Sequence, residues 1–258
     1  MTGIGTFSFL GPGYSLPIEK RLQLIKDAGF DAVSLWWAGN DKQPDMARKI
    51  GLQIDNIHTP FDNCNQLWFD SIDGEEYQNI LISCVEDCYN HDISTAVIHL
   101  AHGKDTPVSE LGLKRVGKIV DAAEQKNIKL AFENITATEH LDAVFERFSS
   151  PYVGFCYDSG HENCNHPDCD CLTLYGDRLF ALHIHDNYGD GDCHMLPFDG
   201  TIDWPAKMQK IKQCKDVDFL SLEACLIPEY EQSAIYKDLS AGEYLETAYK
   251  RAIELLNM

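Results

Sequence analysis

This chain of 258 residues has few basic side chains: 21 Lys and Arg are set against 41 Asp and Glu, which gives a net charge of −20. Proteins that bind DNA or RNA neutralise phosphates with Lys and Arg, and anionic membranes attract the same side chains. An acidic surface repels both and instead favours solubility. We therefore expect neither nucleic acid nor a membrane as a partner.

Long apolar runs are also absent. No stretch of about 18 apolar residues is available for a transmembrane helix, and the first residues lack the basic leader and apolar core of a secretory signal. We therefore expect a cytoplasmic protein. Its ten cysteines should then be reduced thiols. The spacing of Cys164, Cys169 and Cys171 in HENCNHPDCDC fits no standard zinc knuckle, so ordinary loop thiols are the favoured interpretation.

Linkers, low-complexity segments, heptads and residue-level repeats are missing as well, so residues 1–258 are interpreted as one domain. The GPGYS sequence after the first apolar run is not the GxGxxG turn of a doubly wound dinucleotide-binding fold. The length is instead close to that of one (β/α)₈ barrel.

What the sequence does contain is a regular alternation of short apolar runs with amphipathic segments. Helices are predicted near 17–28, 44–50, 74–91, 108–126 and 242–256 from helical spacing and from Pro and Gly at the ends. Eight strands lie between them: IGTFSFL, DAVSLWW, LQIDNIH, TAVIHL, IKLAFEN, YVGFCYD, RLFALHIHD and VDFLSLEA. Strict βα alternation predicts an α/β protein with a single closed (β/α)₈ TIM barrel.

Six of these runs end on, or next to, an acid or a histidine. The six residues are His58, His99, Glu133, Asp158, His183 and Glu223. Parallel strands bring their C-terminal ends to one rim, where barrel enzymes carry their chemistry. The last four follow strands five to eight in order, so their side chains should be neighbours. Two Glu, one Asp and one His suit a divalent ion such as Zn²⁺, Mn²⁺, Co²⁺ or Mg²⁺.

Further ligand types surround these four. His161 follows Asp158 in YDSGH, and Asp192 and His194 form a D-x-H pair in the long loop after strand seven. Each of these residues alone is more often a hydrogen-bonding loop residue. Together with His58 and His99 they could hold a second or third ion, because imidazole and carboxylate are common zinc ligands.

The strings FEN, YDSGH, HIHDN, DCHMLPFDGTIDW and SLEA resemble the xylose-isomerase-like TIM barrel superfamily. That superfamily includes endonuclease IV (AP endonuclease family 2) and the sugar or sugar-phosphate isomerases and epimerases. The resemblance runs through essentially the whole chain and is most specific from FCYDSGH to GTIDW. Barrels of this type often pair, so it also allows a homo-oligomer.

The resemblance implies a set of metal ligands and assigns them to one, two or three ions. A central ion is implied at Glu133, Asp158, His183 and Glu223, a second at His58, His99 and Glu133, and a third at His161, Asp192 and His194. In the single-metal isomerases and epimerases the central four bind the ion, and the outer histidines often contact substrate. Two features depart from endonuclease IV: the acidic charge, and His185 in HIHDN where that family usually has Asn.

From these residues we expect a divalent-metal-dependent sugar, polyol or sugar-phosphate isomerase or epimerase that works through a metal-stabilised enediolate. Glu133 and Glu223 are the predicted acid–base pair, since two carboxylates on opposite sides of a substrate can remove and return a proton. The predicted substrate contacts are Trp36, Trp37, His161 and His185. The sequence contains no cluster of Lys and Arg residues that would indicate a phosphate pocket. Lys104 and Arg178 remain candidate phosphate contacts.

Three alternatives stay open. One is a zinc phosphodiester hydrolase like endonuclease IV, which the ligands allow and the charge opposes. Another is a dehydratase of the inosose or dehydroshikimate type, which shares the barrel and expels a hydroxyl group. The third is a carbohydrate-binding protein without catalysis, which would not need two opposed glutamates around an ion.

Overall fold

The computed structural model describes residues 1–6, 16–37, 39, 42–214, 217–226 and 235–258. Its strands are β1 (Thr2–Gly5), β2 (Ala32–Trp36), β3 (Gln53–His58), β4 (Thr95–Ile98), β5 (Lys129–Glu133), β6 (Val153–Asp158), β7 (Leu179–His183) and β8 (Leu220–Leu222). The strand predictions agree with these segments. The last four residues of the predicted first strand lie outside the described residues.

Helices separate the strands along the chain. They are α1 (Ile18–Ala28), α2 (Gln43–Lys49), α3 (Ile72–Asn90), α4 (Glu110–Lys126), α5 (Glu139–Arg147), α6 (Ser159–Asn165), α7 (Cys171–Tyr175), α8 (Trp204–Ile211) and α9 (Ala241–Leu256), with 3₁₀ turns at Cys64–Trp68 and Gly176–Arg178. The five predicted helices correspond to α1, α2, α3, α4 and α9, with ends that differ by at most two residues. Within the described ranges, no helix combines the length and the apolar character needed to cross a bilayer.

The eight strands are all parallel and follow the order β7-β6-β5-β4-β3-β2-β1-β8. The two ends of this sheet meet at a parallel bridge between Ile184 and Leu222. There Ile184 N donates to Ser221 O at 2.9 Å, and Glu223 N donates to Ile184 O at 3.0 Å. These bonds close the sheet and confirm the predicted (β/α)₈ barrel.

The inward faces of β4 to β7 follow a simple alternation, because successive strand residues point to opposite sides. A buried layer of small side chains lies inside the barrel, and it consists of Val97, Ala131, Cys156 and Ala181. Each member stands two residues before one of the predicted site residues: His99, Glu133, Asp158 and His183. The small layer is therefore the floor on which the predicted site is built.

The opposite end of the barrel contains a polar cavity of about 50 Å³ near the N-terminal ends of the strands. Asp55, Lys129 and Asp218 contribute charged groups to its lining. The Ser221 hydroxyl donates to the Asp55 carboxylate. Burial raises the pKa of Asp55 to about 6, and the bond from Ser221 only partly offsets this effect.

This raised pKa predicts how stability changes with pH. Because the folded protein holds the Asp55 proton more tightly than the unfolded chain, the stabilisation by neutral Asp55 is complete below about pH 4 and is lost as pH rises through about 6. Asp55→Asn keeps an acceptor for Ser221 and carries no charge. It should raise the free energy of unfolding at pH 8 by about 1–3 kcal/mol.

Urea unfolding at pH 4 to 8 measures this effect. The control is Asp121→Asn, which removes the same charge from the exposed face of α4. If the free energy of unfolding changes with pH in the same way for Asp55→Asn and for the wild type from pH 4 to 8, Asp55 is not the titrating group.

Candidate functional site

The residues predicted at the strand tips all lie at the C-terminal rim of the barrel. His58, Glu133, Asp158 and His183 are the last residues of β3, β5, β6 and β7, while His99 and Glu223 directly follow β4 and β8. None of the six is more than 6% exposed. The structure thus brings together, away from water, six titratable groups that are distant in the sequence.

The central group consists of Glu133, Asp158, His183 and Glu223, and one ligand atom from each lies within 4.8 Å of all the others. The Nδ1 of His183 is 3.1 Å from Oε2 of Glu133 and 3.1 Å from Oε2 of Glu223. Despite this crowding, Glu133 Oε1, His183 Nδ1 and Glu223 Oε2 have no hydrogen-bond partner.

Buried donors and acceptors that converge without bonding to each other fit a cation between them. A divalent ion holds such ligands at about 2.0–2.2 Å, so two of its ligands are at most about 4.4 Å apart. The mixture of three carboxylates and one imidazole accepts several such ions. We therefore regard this group as a candidate metal centre.

Charge balance keeps the two glutamates ionised. Burial is the largest single influence and would raise the pKa of Glu133 and of Glu223, but the neighbouring histidines, His183 foremost, together outweigh it and hold both pKa values below the usual range. At Asp158 the balance is reversed: burial raises the pKa although His161 and His185 oppose it. Two of the three carboxylates are thus held in the proton-accepting form.

Two outer histidines have their tautomers fixed by backbone carbonyls. Nδ1 of His58 donates to Thr59 O at 2.9 Å, and Nδ1 of His194 donates to Glu223 O at 3.0 Å. A carbonyl can only accept, so each Nδ1 carries the hydrogen. Burial lowers the pKa of His58 to about 4, so its ring is neutral and its Nε2 carries a lone pair. That Nε2 lies 3.8 Å from Oε2 of Glu133.

His161 links the central group to the outer one. Its Nδ1 lies 3.1 Å from Glu133 Oε1 and 3.4 Å from Asp158 Oδ1, and its Nε2 lies 3.2 Å from Asp192 Oδ2. His194 Nε2 approaches the same Asp192 oxygen at 3.1 Å. Burial opposes protonation of His161, yet the surrounding carboxylates hold its pKa well above the usual value. All nine predicted ligand residues thus form one continuous cluster.

Asn134, in the FEN string, is a residue that sequence reasoning quoted without assigning it a role. Its Oδ1 accepts from Asp158 N at 2.8 Å, and its Nδ2 donates to Asp158 O at 2.8 Å. This two-point contact fixes the backbone of Asp158 relative to the end of β5. The Asn directly after a predicted strand-end ligand was the signal that could have identified it.

A second unassigned residue, Asp186, organises the loop that carries Asp192 and His194. Its fully buried carboxylate accepts four hydrogen bonds, which come from Asn187 N (2.9 Å), Ile202 N (3.2 Å), Phe198 N (3.1 Å) and Trp204 Nε1 (2.9 Å). His194 adopts a positive φ of 46° inside this loop. Such backbone strain persists only where surrounding contacts enforce it.

His185 lies against Asp158 in the structure. It was predicted to contact substrate, but it is fully buried, with its Nε2 3.0 Å from Oδ1 of Asp158. The backbone N–H of His185 donates to Ser159 Oγ at 3.0 Å, which fixes the main chain at this residue. A Cβ on Gly160 would lie 1.9 Å from the His185 ring, so the ring packs directly on that glycine. His185 therefore supports Asp158 from behind.

Of the two predicted aromatic contacts, only Trp36 lies at the cluster. Its ring stacks on His58 with centroids 5.0 Å apart. Trp37 is 2% exposed, and its Nε1 donates to Asp87 of α3 at 2.6 Å. Adjacent strand residues point to opposite faces, so both rings cannot face the site. Trp37 therefore packs against α3, away from the cluster.

Sequence reasoning missed His102, which lies beside the cluster. Its Nε2 is 3.2 Å from Nδ1 of His99. The signal was the second histidine in HLAHG, three residues after the one that follows β4. Phe61 also contacts this region, since its ring stacks on His99 with centroids 4.6 Å apart.

Other candidates lie apart from the cluster. Arg178 donates to Phe148 O at 3.1 Å just before β7, at the opposite end of the barrel, so it is no phosphate contact at this rim. Cys169 and Cys171 have sulfurs 3.6 Å apart. In the parts of the chain that the structure describes, neither these two nor Cys164 belongs to a group that could hold a metal ion.

A family model described as the xylose isomerase-like TIM barrel matches residues 22–239. The chain therefore belongs to this family, as the strings in its sequence indicated. An uncharacterised protein of Sinorhizobium fredii is 45% identical over 89 residues. That similarity covers 32% of this chain, and the chain spans only 29% of the length of that relative.

Solved structures share the fold at low sequence identity. The IolI protein with a bound zinc atom superposes with a TM-score of 0.76 at 19% identity, covering 100% of this chain and 98% of the other. D-Psicose 3-epimerase from Clostridium cellulolyticum H10, solved with D-tagatose, has a TM-score of 0.75 at 14% identity, covering 99% and 98%. At these identities the likeness establishes the barrel and not the activity.

The contact between Gly160 and His185 predicts a sharp steric effect. Gly160→Ala would place a Cβ 1.9 Å from the His185 ring, which is fully buried. We expect a loss of about 1–3 kcal/mol in the free energy of unfolding. Metal affinity should also fall, because His185 holds Asp158.

The control is Gly117→Ala in α4, where a new Cβ would meet Phe148 at an ordinary 3.5 Å. The denaturant concentration at the unfolding midpoint of that variant should equal or exceed that of the wild type, since Ala has a higher helix propensity than Gly. Equal stability and metal affinity of the two variants would contradict the packing argument.

Proposed function

We propose that this protein is a divalent-metal-dependent sugar isomerase or epimerase. The observation that carries the proposal is the buried convergence of Glu133, Asp158, His183 and Glu223, with three of their polar atoms lacking a hydrogen-bond partner. A zinc atom in the IolI structure and a ketose in the D-psicose 3-epimerase structure, both on the same fold, support the same class of chemistry.

A cation held by these four residues would supply positive charge to stabilise the oxygens next to the reacting carbon. Zn²⁺, Mn²⁺, Co²⁺ and Mg²⁺ all remain compatible with the ligand set. His58, His99, His161, Asp192 and His194 either contact substrate or extend the site to a second or third ion.

Glu133 and Glu223 are the proposed proton acceptor and donor. Their carboxylates approach Nδ1 of His183 from β5 and from the end of β8, each at 3.1 Å. His183 and the other neighbouring histidines together keep both ionised, which is the state needed to accept a proton. One carboxylate would take the proton from the carbon next to the carbonyl and later release it to solvent. The other would take up a proton from solvent and deliver it to the carbon, so that both are ionised again after turnover.

The walls of the site suit a neutral sugar or polyol. Trp36 and Phe61 meet edge to face with centroids 5.2 Å apart, and they offer apolar ring surface near His58. His161, Asp192 and His194 offer polar groups for hydroxyls on another side. An anionic substrate would meet the carboxylates of the cluster, which favours an uncharged one.

A multi-ion phosphodiester hydrolase is the second candidate. The observation that favours it is the tautomer of His58 and of His194, since each donates Nδ1–H to a carbonyl as metal-bound histidines do. The net charge of −20 opposes DNA as its substrate. A dehydratase stays open as a related reaction, and product analysis separates it from an isomerase by the loss of water.

Metal content is the first prediction of this proposal. Elemental analysis of gently purified protein should find about one divalent ion per chain. At 100 times its dissociation constant that ion should stabilise the fold by about 2.7 kcal/mol relative to chelated protein. Asp158→Asn should lose the ion, whereas Asp168→Asn in an exposed loop should keep it.

Two or three zinc ions per chain would direct attention to phosphodiester hydrolysis. An ion content near zero, with no change in melting temperature on adding or chelating metal, would eliminate both metal-dependent candidates.

The acid–base assignment predicts the effect of two isosteric substitutions. Glu133→Gln and Glu223→Gln should each lower kcat/KM by about 10²–10⁴-fold on the best substrate of a ketose and polyol panel. The fold should remain, as judged by circular dichroism, and Glu146→Gln on the exposed face of α5 should keep full activity.

Metal content is measured for each variant, so that loss of the ion is separated from loss of the base. Near-normal turnover in either glutamine variant would refute the assignment. Sugar binding without turnover by the wild type across the whole panel would instead favour a carbohydrate-binding protein.

A further inference from the structure

Two cysteines lie side by side where the connection from α6 enters α7, apart from the candidate metal centre. Sγ of Cys169 is 3.6 Å from Sγ of Cys171, a distance at which one thiol donates a hydrogen bond to the other. Cys171 is fully buried, whereas Cys169 is partly exposed. The pair therefore combines one sulfur that a small solute can reach with a second sulfur in contact with it.

Hydrogen bonds fix the backbone on both sides of this pair. Cys169 N donates to His166 O at 2.9 Å. Cys171 N donates to Oε2 of Glu162 at 3.2 Å. Asp170, between the two cysteines, is the N-cap residue of α7, and its carboxylate accepts a backbone hydrogen bond from the first turn of that helix. The local fold thus holds the two cysteines in place relative to each other.

The chain geometry allows the two sulfurs to bond. Cα atoms two residues apart are separated by about 6.6–7.2 Å in an extended chain, and disulfides bridge Cα separations of about 4.4–6.8 Å. Asp170 has φ −110° and ψ 80°, which is less extended than a strand and shortens this separation. The sulfurs need to approach by about 1.5 Å to reach the length of a disulfide bond. Rotation of the partly exposed Cys169 side chain provides that approach.

Burial decides which of the two thiols reacts first. Burial is the largest influence on Cys171 and raises its pKa, and the nearby Glu162 carboxylate and Cys169 raise this pKa further. Cys171 therefore keeps its hydrogen and donates it to the sulfur of Cys169. Because the thiolate is the nucleophilic form of cysteine, Cys171 is a poor first nucleophile. Cys169 is the sulfur that meets an oxidant from solvent.

We propose that Cys169 and Cys171 are an oxidation site at which a peroxide forms a reversible disulfide. The sulfur of Cys169 attacks a peroxide oxygen, so that an S–O bond forms, the O–O bond breaks and one water leaves. The sulfur of Cys171 then attacks the sulfenic acid of Cys169. The S–S bond forms, the S–O bond breaks, and the departing oxygen takes the Cys171 proton as a second water. Two thiols are oxidised by two electrons in total, and one peroxide is reduced to two waters.

The resulting disulfide is easily reduced. The ring that it closes contains a single intervening residue, and Cys169 keeps one of its sulfurs accessible. Strained or exposed disulfides are more readily reduced than structural ones. A small dithiol therefore exchanges with the bond, becomes a disulfide itself and returns both cysteines to thiols.

The test treats the full-length protein with one equivalent of hydrogen peroxide and then blocks the remaining thiols in denaturant. Two of the ten cysteines should escape blocking, and the treated protein should be lighter by about 2 Da for the two hydrogens lost. Fragmentation in the mass spectrometer should place the bond between Cys169 and Cys171. A dithiol reductant should restore the original mass and thiol count.

Cys214→Ala is the matched control. Cys214 is also partly exposed, but its sulfur contacts the carbonyl of Lys210 at 3.3 Å. This variant should form the disulfide between Cys169 and Cys171 to the same extent as the wild type.

Two single substitutions test the order of the steps. In Cys171→Ala the reaction should stop at the sulfenic acid of Cys169, which dimedone traps as a stable adduct that the wild type forms only in traces. In Cys169→Ala neither a disulfide nor an adduct should form, because Cys171 is buried. Since Cys169 is partly exposed, this second variant keeps the test decisive even if Cys171→Ala fails to fold.

Three outcomes would overturn the proposal. One is that all ten thiols survive the peroxide, and another is that Cys164 or Cys214 is oxidised before the pair. The third is a loss of thiols that a dithiol does not reverse. The proposal is independent of the sugar chemistry, so either can fail without the other.

Discussion

The dominant constraint in this molecule is electrostatic: three carboxylates, those of Glu133, Asp158 and Glu223, meet where little water reaches them. Burying like charges together is costly unless positive charge and hydrogen bonds compensate. His183 and His161 provide part of that compensation through contacts of 3.1–3.4 Å. The polar atoms that remain without a partner show where compensation is incomplete, and that is the place that suits a cation.

The barrel supplies the framework that holds these groups against their repulsion. Register pairs Asp158 with His183, and Glu133 with Cys156, so ligands and floor residues alternate between adjacent strands at fixed heights. The connections beyond the strand ends are fixed by hydrogen bonds instead of strand pairing. Asn134 holds the backbone of Asp158 at the end of β6, and four hydrogen bonds to Asp186 hold the loop after β7.

Strand ends and helices could be predicted from the sequence because they depend on periodicity, which is local. The convergence of Glu133, Asp158, His183 and Glu223 could be predicted for a related reason: parallel strands in chain order put their last residues side by side. What periodicity could not supply was the direction of side chains past a strand end. The Trp37 side chain contacts α3, His185 packs on Gly160, and His102 contacts His99. Contacts with other parts of the chain set the direction of each of these side chains.

The distribution of side chains around the cluster bears on what it can recognise. Aromatic surface comes from the ends of β2 and β3 through Trp36 and Phe61, whereas His161, Asp192 and His194 come from beyond β6 and β7. A sugar has the same division, with a CH face on one side and hydroxyls along its edge. A flat aromatic ligand lacks the hydroxyls, and a phosphate ester brings negative charge to a site already rich in carboxylates. The walls of the cluster are therefore apolar on one side and polar on the other, above a floor of carboxylates, and the proposed sugar substrate matches this division.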